Sequence, residues 1–277
     1  RLITNKPDTT EFSGNIKAGT SWMKDGEMNY NVNGTINVPI TDNFAIRASI
    51  YADQKGGYID NVAGTRSVSE SARFRSGSTK RSNGTEVGFR GGFQAGADLS
   101  NVNFIDADNS ALVEDDFNDT RYTGGRISAL WNVNDDWSVR VGAMVQEIDS
   151  DGTFYADPNL GDDYKIQRFE AENIKDEYTS LNWTVEGRLG ALQALYTGAY
   201  TERTTDQVVD YTDYLFVGQY LPYYSCDASV SYPGTGVLPS GNCYSPDSLV
   251  NSHTETTVMT HEVRFATPEE NRLRSTF

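Results

Sequence analysis

Cysteine and histidine are nearly missing from this chain of 277 residues, with only 2 of each. Cys226 and Cys243 have no second Cys or His pair beside them at metal-ligand spacing, so a thiolate metal centre is not indicated. His253 and His261 would lie about 26 Å apart on one extended strand, too far to share an ion. No apolar run approaches the roughly 18 residues of a membrane-crossing helix, which excludes a helical membrane protein and leaves strands untouched. Positive charge is also short. Against 39 Asp and Glu stand 23 Lys and Arg, a net charge of −16, and such a chain repels nucleic acid unless a basic patch is concentrated somewhere. Arg73, Arg75, Lys80 and Arg81, followed by Phe89-Arg90-Gly91-Gly92-Phe93, make a small basic cluster inside a long polar stretch. No nucleic-acid partner is expected from it. A nucleophile elbow, a phosphate-binding glycine loop and a zinc-hydrolase helix motif are all missing, so no enzyme and no cofactor are indicated.

Alternation is what the chain has in quantity. Asn29, Asn31, Asn33, Thr35 and Asn37 take one parity, and Tyr30, Val32, Gly34, Ile36, Val38 and Ile40 the other. A period of two over this length predicts a strand with one wet and one apolar face. The pattern recurs with Phe12, Ile16, Ala18 and Trp22; with Phe44, Ile46, Ala48 and Ile50; and with Ile127, Ala129, Trp131 and Val133. It continues with Trp137 to Val145, with Leu181 to Leu189, less clearly over Leu192 to Arg203, and over Thr256 to Ala266. Trp22, Trp131 and Trp137 fall near strand ends, where interfacial aromatic belts sit.

Connections alternate in length. Tight turns are predicted at Thr41-Asp42-Asn43, Asn134-Asp135-Asp136, Gly190-Ala191 and Pro268-Glu269-Glu270-Asn271. Long polar stretches run from Gly56 to Asp119, Asp149 to Lys175 and Thr204 to Thr254, with only the hairpin at Asp25-Gly26-Glu27 short at that end. Short turns on one side and long loops on the other predict an all-β, antiparallel transmembrane barrel. About eight strands of a larger barrel are expected, cut at both ends: the chain opens on Arg1, and Ser275-Thr276-Phe277 reads as the start of a further strand.

Arg1-Leu2-Ile3-Thr4-Asn5-Lys6-Pro7 resembles the stretch that leaves the plug in TonB-dependent outer-membrane receptors. Gly14, Tyr30 to Ile40 and Ala45-Ile46-Arg47-Ala48 are similar to their first barrel strands. Gly57-Tyr58-Ile59-Asp60-Asn61 is similar to an extracellular loop start, and His261-Glu262-Val263-Arg264-Phe265 to a later strand. The resemblance implies residues 1–7 as the end of a plug and 8–277 as the N-terminal part of a plugged barrel of the 22-stranded class. It implies a receptor in the outer membrane of a Gram-negative bacterium, importing a scarce nutrient. An iron–siderophore complex is the family expectation, with haem, cobalamin, oligosaccharide or peptide left open. The implied partners are the TonB complex, outer-membrane lipid and lipopolysaccharide. The alternatives are a passive porin-like or adhesin barrel without a plug, and a secreted glycan-binding β-sandwich.

Candidate sites follow. Tyr211, Tyr214, Phe216, Tyr220, Tyr223 and Tyr224 gather in one loop and offer amphipathic rings to a ligand or to the loop's own packing. Cys226 and Cys243 in that loop predict a disulfide in an oxidising compartment. Arg47, Arg126, Arg140, Arg188 and Arg264, alternating with Asp53, Glu186 and Glu262, read as a polar lumen wall, because arginine facing lipid costs about 2–4 kcal/mol near the midplane; the resemblance implies that this wall contacts a plug, with direct ligand contact as the alternative. Loop acids at Asp106-Asp108, Glu114-Asp115-Asp116, Asp149-Asp151 and Asp162-Asp163 lack the full calcium-loop pattern and read as solvated, with divalent cations as the alternative.

Overall fold

Period-two alternation produces one large antiparallel sheet. The computed structural model describes residues 4–80, 84, 86, 91–161, 164–268 and 275–277. Its eight long strands are β1 (Ser13–Trp22), β2 (Met28–Thr41), β3 (Phe44–Lys55), β4 (Thr120–Asn132), β5 (Trp137–Asp151), β6 (Asn173–Leu189), β7 (Leu192–Asp210) and β8 (Leu249–Ala266). They follow one another in chain order as a meander, and the sheet is open, with β1 and β8 at its edges. Beyond β8 the chain folds back: Phe265 and Phe277 exchange N–H···O bonds of 3.1 and 2.8 Å, and Thr267 N–H donates to Ser275 O at 3.0 Å. Residues 275–277 thus begin another rung beside β8, while Glu269 to Arg274 lie outside the described residues.

Turn chemistry explains the tight end. Gly190 adopts φ 62° between the paired Leu189 and Leu192, a left-handed conformation that glycine takes without a Cβ penalty. Asn134 Oδ1 accepts from the N–H groups of Asp136 and Trp137, both at 3.0 Å, the side-chain turn that asparagine makes readily. Pro39, which cannot donate to a ladder, lies past the last β1 pair, Ser13 with Asn37. The β2–β3 register shifts just beyond it.

Burial on the sheet is inverted relative to a water-soluble sandwich. Ile16 is 82% exposed and Ile50 70%, whereas Asn37 is fully buried. On β2 the apolar Tyr30, Val32, Ile36 and Ile40 are exposed, and on β5 Val141 and Val145. The apolar face runs from Phe44 to Ala52, Trp137 to Val145 and Leu181 to Leu189. Each stretch is about 30 Å along its strand at ~3.3 Å per residue, close to the 9–11 tilted residues of a bilayer crossing. Above this band the same face carries Thr123, Glu147, Glu177, Thr204 and Glu255, successive cross-strand partners in one row. The register therefore ends the apolar band at one level from β4 to β8.

That row also corrects the expected third long loop. β7 continues to Asp210 and β8 starts at Leu249, so the connection is 211–248 rather than 204–254. The strand extensions have polar residues on both faces, with Val208, Val209, Leu249 and Val250 in adjacent pairs, so alternation carries no signal there.

Aromatic rings cover small residues near the tight-turn end. A Cβ at Gly187 would come 2.3 Å from the Trp137 ring, and one at Gly198 2.5 Å from Trp183. On the opposite face hydroxyls pair across strands: Thr35 with Ser49 at 3.0 Å, Ser180 with Thr201 at 3.2 Å, Thr184 with Thr197 at 3.1 Å.

The long connections pack together at the other end of the sheet. Lys165–Ile166 pairs with Asp60–Asn61, Thr65–Arg66 with Ala107–Asp108, and Ser240–Cys243 with Asn101–Phe104. Their core is Val68, Phe74, Val230 and Cys243, with Leu99, Val102, Phe104 and Cys226 packed against it. Buried Asn61 links three loop segments, donating to Leu112 O at 2.7 Å and accepting from Arg168 N–H at 2.8 Å. Among the described residues no helix is long and apolar enough to cross a membrane.

Candidate functional site

Two surfaces carry the expected site residues: the polar face of the sheet and the outer surface of the loop body. The polar face is crossed by the segment that precedes β1. Asn37 Nδ2 donates to Asp8 O at 2.9 Å and Glu11 O at 2.8 Å, and its Oδ1 accepts from Asp8 N–H at 2.9 Å. Farther along, Lys6 Nζ lies 2.9 Å from Glu186 Oε2 on β6. Arg1, Leu2 and Ile3 of the plug-like stretch lie outside the described residues.

Sheet register brings Arg47, Arg126 and Arg140 to one region of this face. Arg47 stands opposite Ser128, Ser128 stands opposite Gly142, and Arg126 and Arg140 lie two residues from Ser128 and Gly142 on their own strands. The remaining wall residues are paired locally. Arg264 meets Glu262, Asp53 meets Lys55 at 3.0 Å, and Arg188 lies 3.9 Å from Asp136 in the turn, placing it at the rim. Between Arg126, Arg140, Lys6 and the hydroxyls of Thr184, Thr197 and Thr260 is a trough of about 620 Å³.

In the loop body the helix α1 (Leu221–Ser225) presents Tyr223 and Tyr224, and Tyr220 precedes it. Tyr224 is 81% exposed and Tyr220 60%. Tyr223 packs edge-on against Tyr224 and Tyr232 at 5.1 and 5.5 Å, and Tyr211 stacks on Tyr214 at 5.0 Å. Phe93 joins the patch, 5.8 Å from Tyr220, with its N–H donating to Gln219 Oε1 at 3.1 Å. No sequence signal links Phe93 to Tyr220, because they come from different long loops. Cys226, which caps the C-terminus of α1, forms a disulfide with Cys243.

Of the two roles open to the loop aromatics, Phe216 takes the loop's own packing. It is buried, with the Arg66 guanidinium 5.4 Å from its ring centre. Arg66 also lies 4.9 Å from the Phe169 ring and 2.8 Å from Asp213 Oδ1, so Phe216 belongs to the loop core rather than to its surface. The basic cluster is absorbed in the same way. Arg73 sits 4.5 Å over Tyr232, and Arg75 Nη1 donates to Phe216 O at 2.6 Å. Arg81, Phe89 and Arg90 lie outside the described residues.

Acidic side chains line a hollow of about 400 Å³ that includes Glu27, Glu114, Asp116, Asp119 and Glu170. Burial, then the charges of Asp60, Glu27 and Asp115, push the Asp116 carboxyl above its ordinary value. Glu172 is pushed up by burial against the opposing charge of Arg168, its buried ion-pair partner at 3.0 Å. Among the described residues no three His, Cys, Asp or Glu side chains gather as metal ligands, and Asp162 and Asp163 lie outside them. The histidines have partners of their own: His253 Nδ1 is 2.6 Å from Asp206, and His261 Nδ1 is 3.0 Å from the Tyr196 hydroxyl. Compared with known proteins, the chain matches no family model and no curated protein.

Proposed function

We propose that the chain is part of a TonB-dependent outer-membrane receptor that imports a scarce nutrient, an iron–siderophore chelate being the solute class its resemblance implies. The observation that carries this reading is the inverted sheet, with valine, isoleucine and tryptophan turned outward in a band of bilayer depth and asparagine, serine and threonine turned inward. In water such a face is an aggregation surface; in a bilayer it is the required one. The plug-end reading is supported by the segment from Thr4 to Glu11, which lies on the inward face. The exposed tyrosines of the loop body supply area for a solute at low conformational cost. Energy coupling to the TonB complex belongs to a plug and follows from the resemblance alone.

The test is fractionation and uptake by the whole protein in a Gram-negative host. Retention in outer membranes after alkaline washing, release only by detergent, and iron-dependent growth lost in a Tyr220→Ala/Tyr223→Ala/Tyr224→Ala variant are expected. Recovery as a soluble periplasmic or secreted protein would defeat the reading. Solute flux that persists without an energised inner membrane would favour the passive barrel.

A further inference from the structure

We propose that Arg47, Arg126 and Arg140 form a binding site for a small anion bearing several carboxylates or phosphates, on the polar face of the sheet. The proposal rests on reading that face as the wall of a transport path. The three arginines surround the Ser128–Gly142 pair, where Ser128 is buried and the Asn182 amide lies over Gly142. All three are half-buried. Nearby charges are already matched, Lys6 with Glu186 and Glu262 with Arg264. Arg47, Arg126 and Arg140 have no carboxylate or hydrogen-bond acceptor among the described residues, and Arg126 feels the like charges of the other two. Three uncompensated guanidinium groups on a chain of net charge −16 are a costly arrangement unless an anion completes it.

The chemistry selects the ligand class. Guanidinium presents a planar fork of donors that matches carboxylate and phosphate oxygens two at a time. The trough of about 620 Å³ that Arg126 and Arg140 line adds a set of threonine hydroxyls, its carboxylates Glu186 and Glu262 being held by Lys6 and Arg264, and falls within the usual range of about 300–1,000 Å³ for small-ligand sites. Among the described residues of the loop body, Arg66, Arg73 and Arg168 are engaged with aromatic rings and backbone or carboxylate oxygens. Tyrosines at the loop surface would give an anionic solute contact area, and the arginines would give it charge.

Citrate and inorganic phosphate, with sucrose as the uncharged probe, are titrated calorimetrically into the whole protein purified in detergent. The double variants Arg126→Gln/Arg140→Gln and Arg126→Lys/Arg140→Lys are run beside it, with Arg121→Gln on the outward face as control. Heat-modifiable gel mobility reports barrel folding separately for every preparation. Saturable citrate binding is expected, weakened about tenfold or more by the glutamine pair and by about 0.5 M salt. The lysine pair should bind in between, Arg121→Gln should match wild type, and sucrose should give no heat. Equal citrate binding by the glutamine pair, or no anion binding by protein with barrel mobility, overturns the proposal. So does loss of thermal stability in the glutamine pair when wild type binds no anion, which would assign the arginines to a protein carboxylate. Arginine-dependent citrate binding by protein without barrel mobility would uphold the anion site and refute the membrane reading.

Discussion

Lys6 Nζ lies 2.9 Å from Glu186 Oε2, a contact across 180 residues of sequence that ties the segment before β1 to the sixth strand. The pair itself is exposed, its side chains 54% and 37% accessible, so its removal should cost no more than about 1 kcal/mol and should matter less in salt. Asn37 is the stronger fastening. With three part-buried hydrogen bonds to residues 8–11 and a side chain that is itself fully buried, Asn37→Ala should destabilise by about 1–3 kcal/mol through loss of those bonds. Denaturant unfolding in detergent compares the two. A Lys6→Ala effect as large as that of Asn37→Ala would reverse this ranking.

Charge placed on the two faces of one sheet should have unequal effects in a bilayer. Ile50→Arg puts a guanidinium at the apolar band and should cost about 2–4 kcal/mol. Asn31→Arg, on the opposite face beside Asp53, should stay within about 0.5 kcal/mol. Folding titrations into lipid vesicles measure both, and equal costs would mean that the outward face does not meet lipid.

The Cys226–Cys243 disulfide closes a loop of sequence separation 17 next to the exposed tyrosines of α1. Its reduction, or Cys226→Ser with Cys243→Ser, should destabilise the loop body by about 3 kcal/mol through chain entropy. Hydrogen exchange should quicken across 211–248 and stay unchanged in β2 to β5. Uniform quickening would show that loop body and sheet unfold as one unit.

Lowering the pH from 7 to 5 should stabilise the loop body. Burial first, then the charges of Asp247 and Asp210, raise the Glu170 carboxyl, and Asp116 and Glu172 are raised as well. A carboxyl raised in the folded state keeps its proton at pH values where the unfolded chain has lost it. The contribution of these three groups is therefore full below the unfolded carboxylate value of about 4.3 and falls as pH rises through the window above it, while Asp98 and Asp108, lowered by hydrogen bonds from Ser100 and Ser110, act only at lower pH. Thermal unfolding should occur at higher temperature near pH 5 than near pH 7, with the difference reduced in Glu170→Gln. A loop body that is more stable at neutral pH would contradict these shifts.

Much of the sheet was legible because its signal is local. Alternation at Asn29 to Ile40 and Trp137 to Val145, and turn residues such as Asn134 and Gly190, are visible within a few positions. The upper ends of β7 and β8 were not legible, because Glu202, Asp206 and Glu255 place polar groups on the face that carries the pattern lower down. In the candidate site the sequence picked out the tyrosines of 211–224. It left open whether Phe216 faces a ligand or the loop's own packing, which its place beside Arg66 and Phe169 from other loops decides, and it missed Phe93, whose neighbour Tyr220 is distant in the chain.

By itself the sequence determined the antiparallel class of the sheet, the strand parity, and the contrast between tight turns and long loops, since backbone pleating and turn chemistry act over a few residues. Only the tertiary structure decided which arginines have partners. Arg66, Arg73 and Arg168 are consumed within the loop body, Arg264 is paired beside Glu262, and Arg47, Arg126 and Arg140 are gathered by register with their charge uncompensated among the described residues. Charge compensation depends on distances between strands and loops remote in sequence, and a one-residue change in register would turn those arginines to the opposite face.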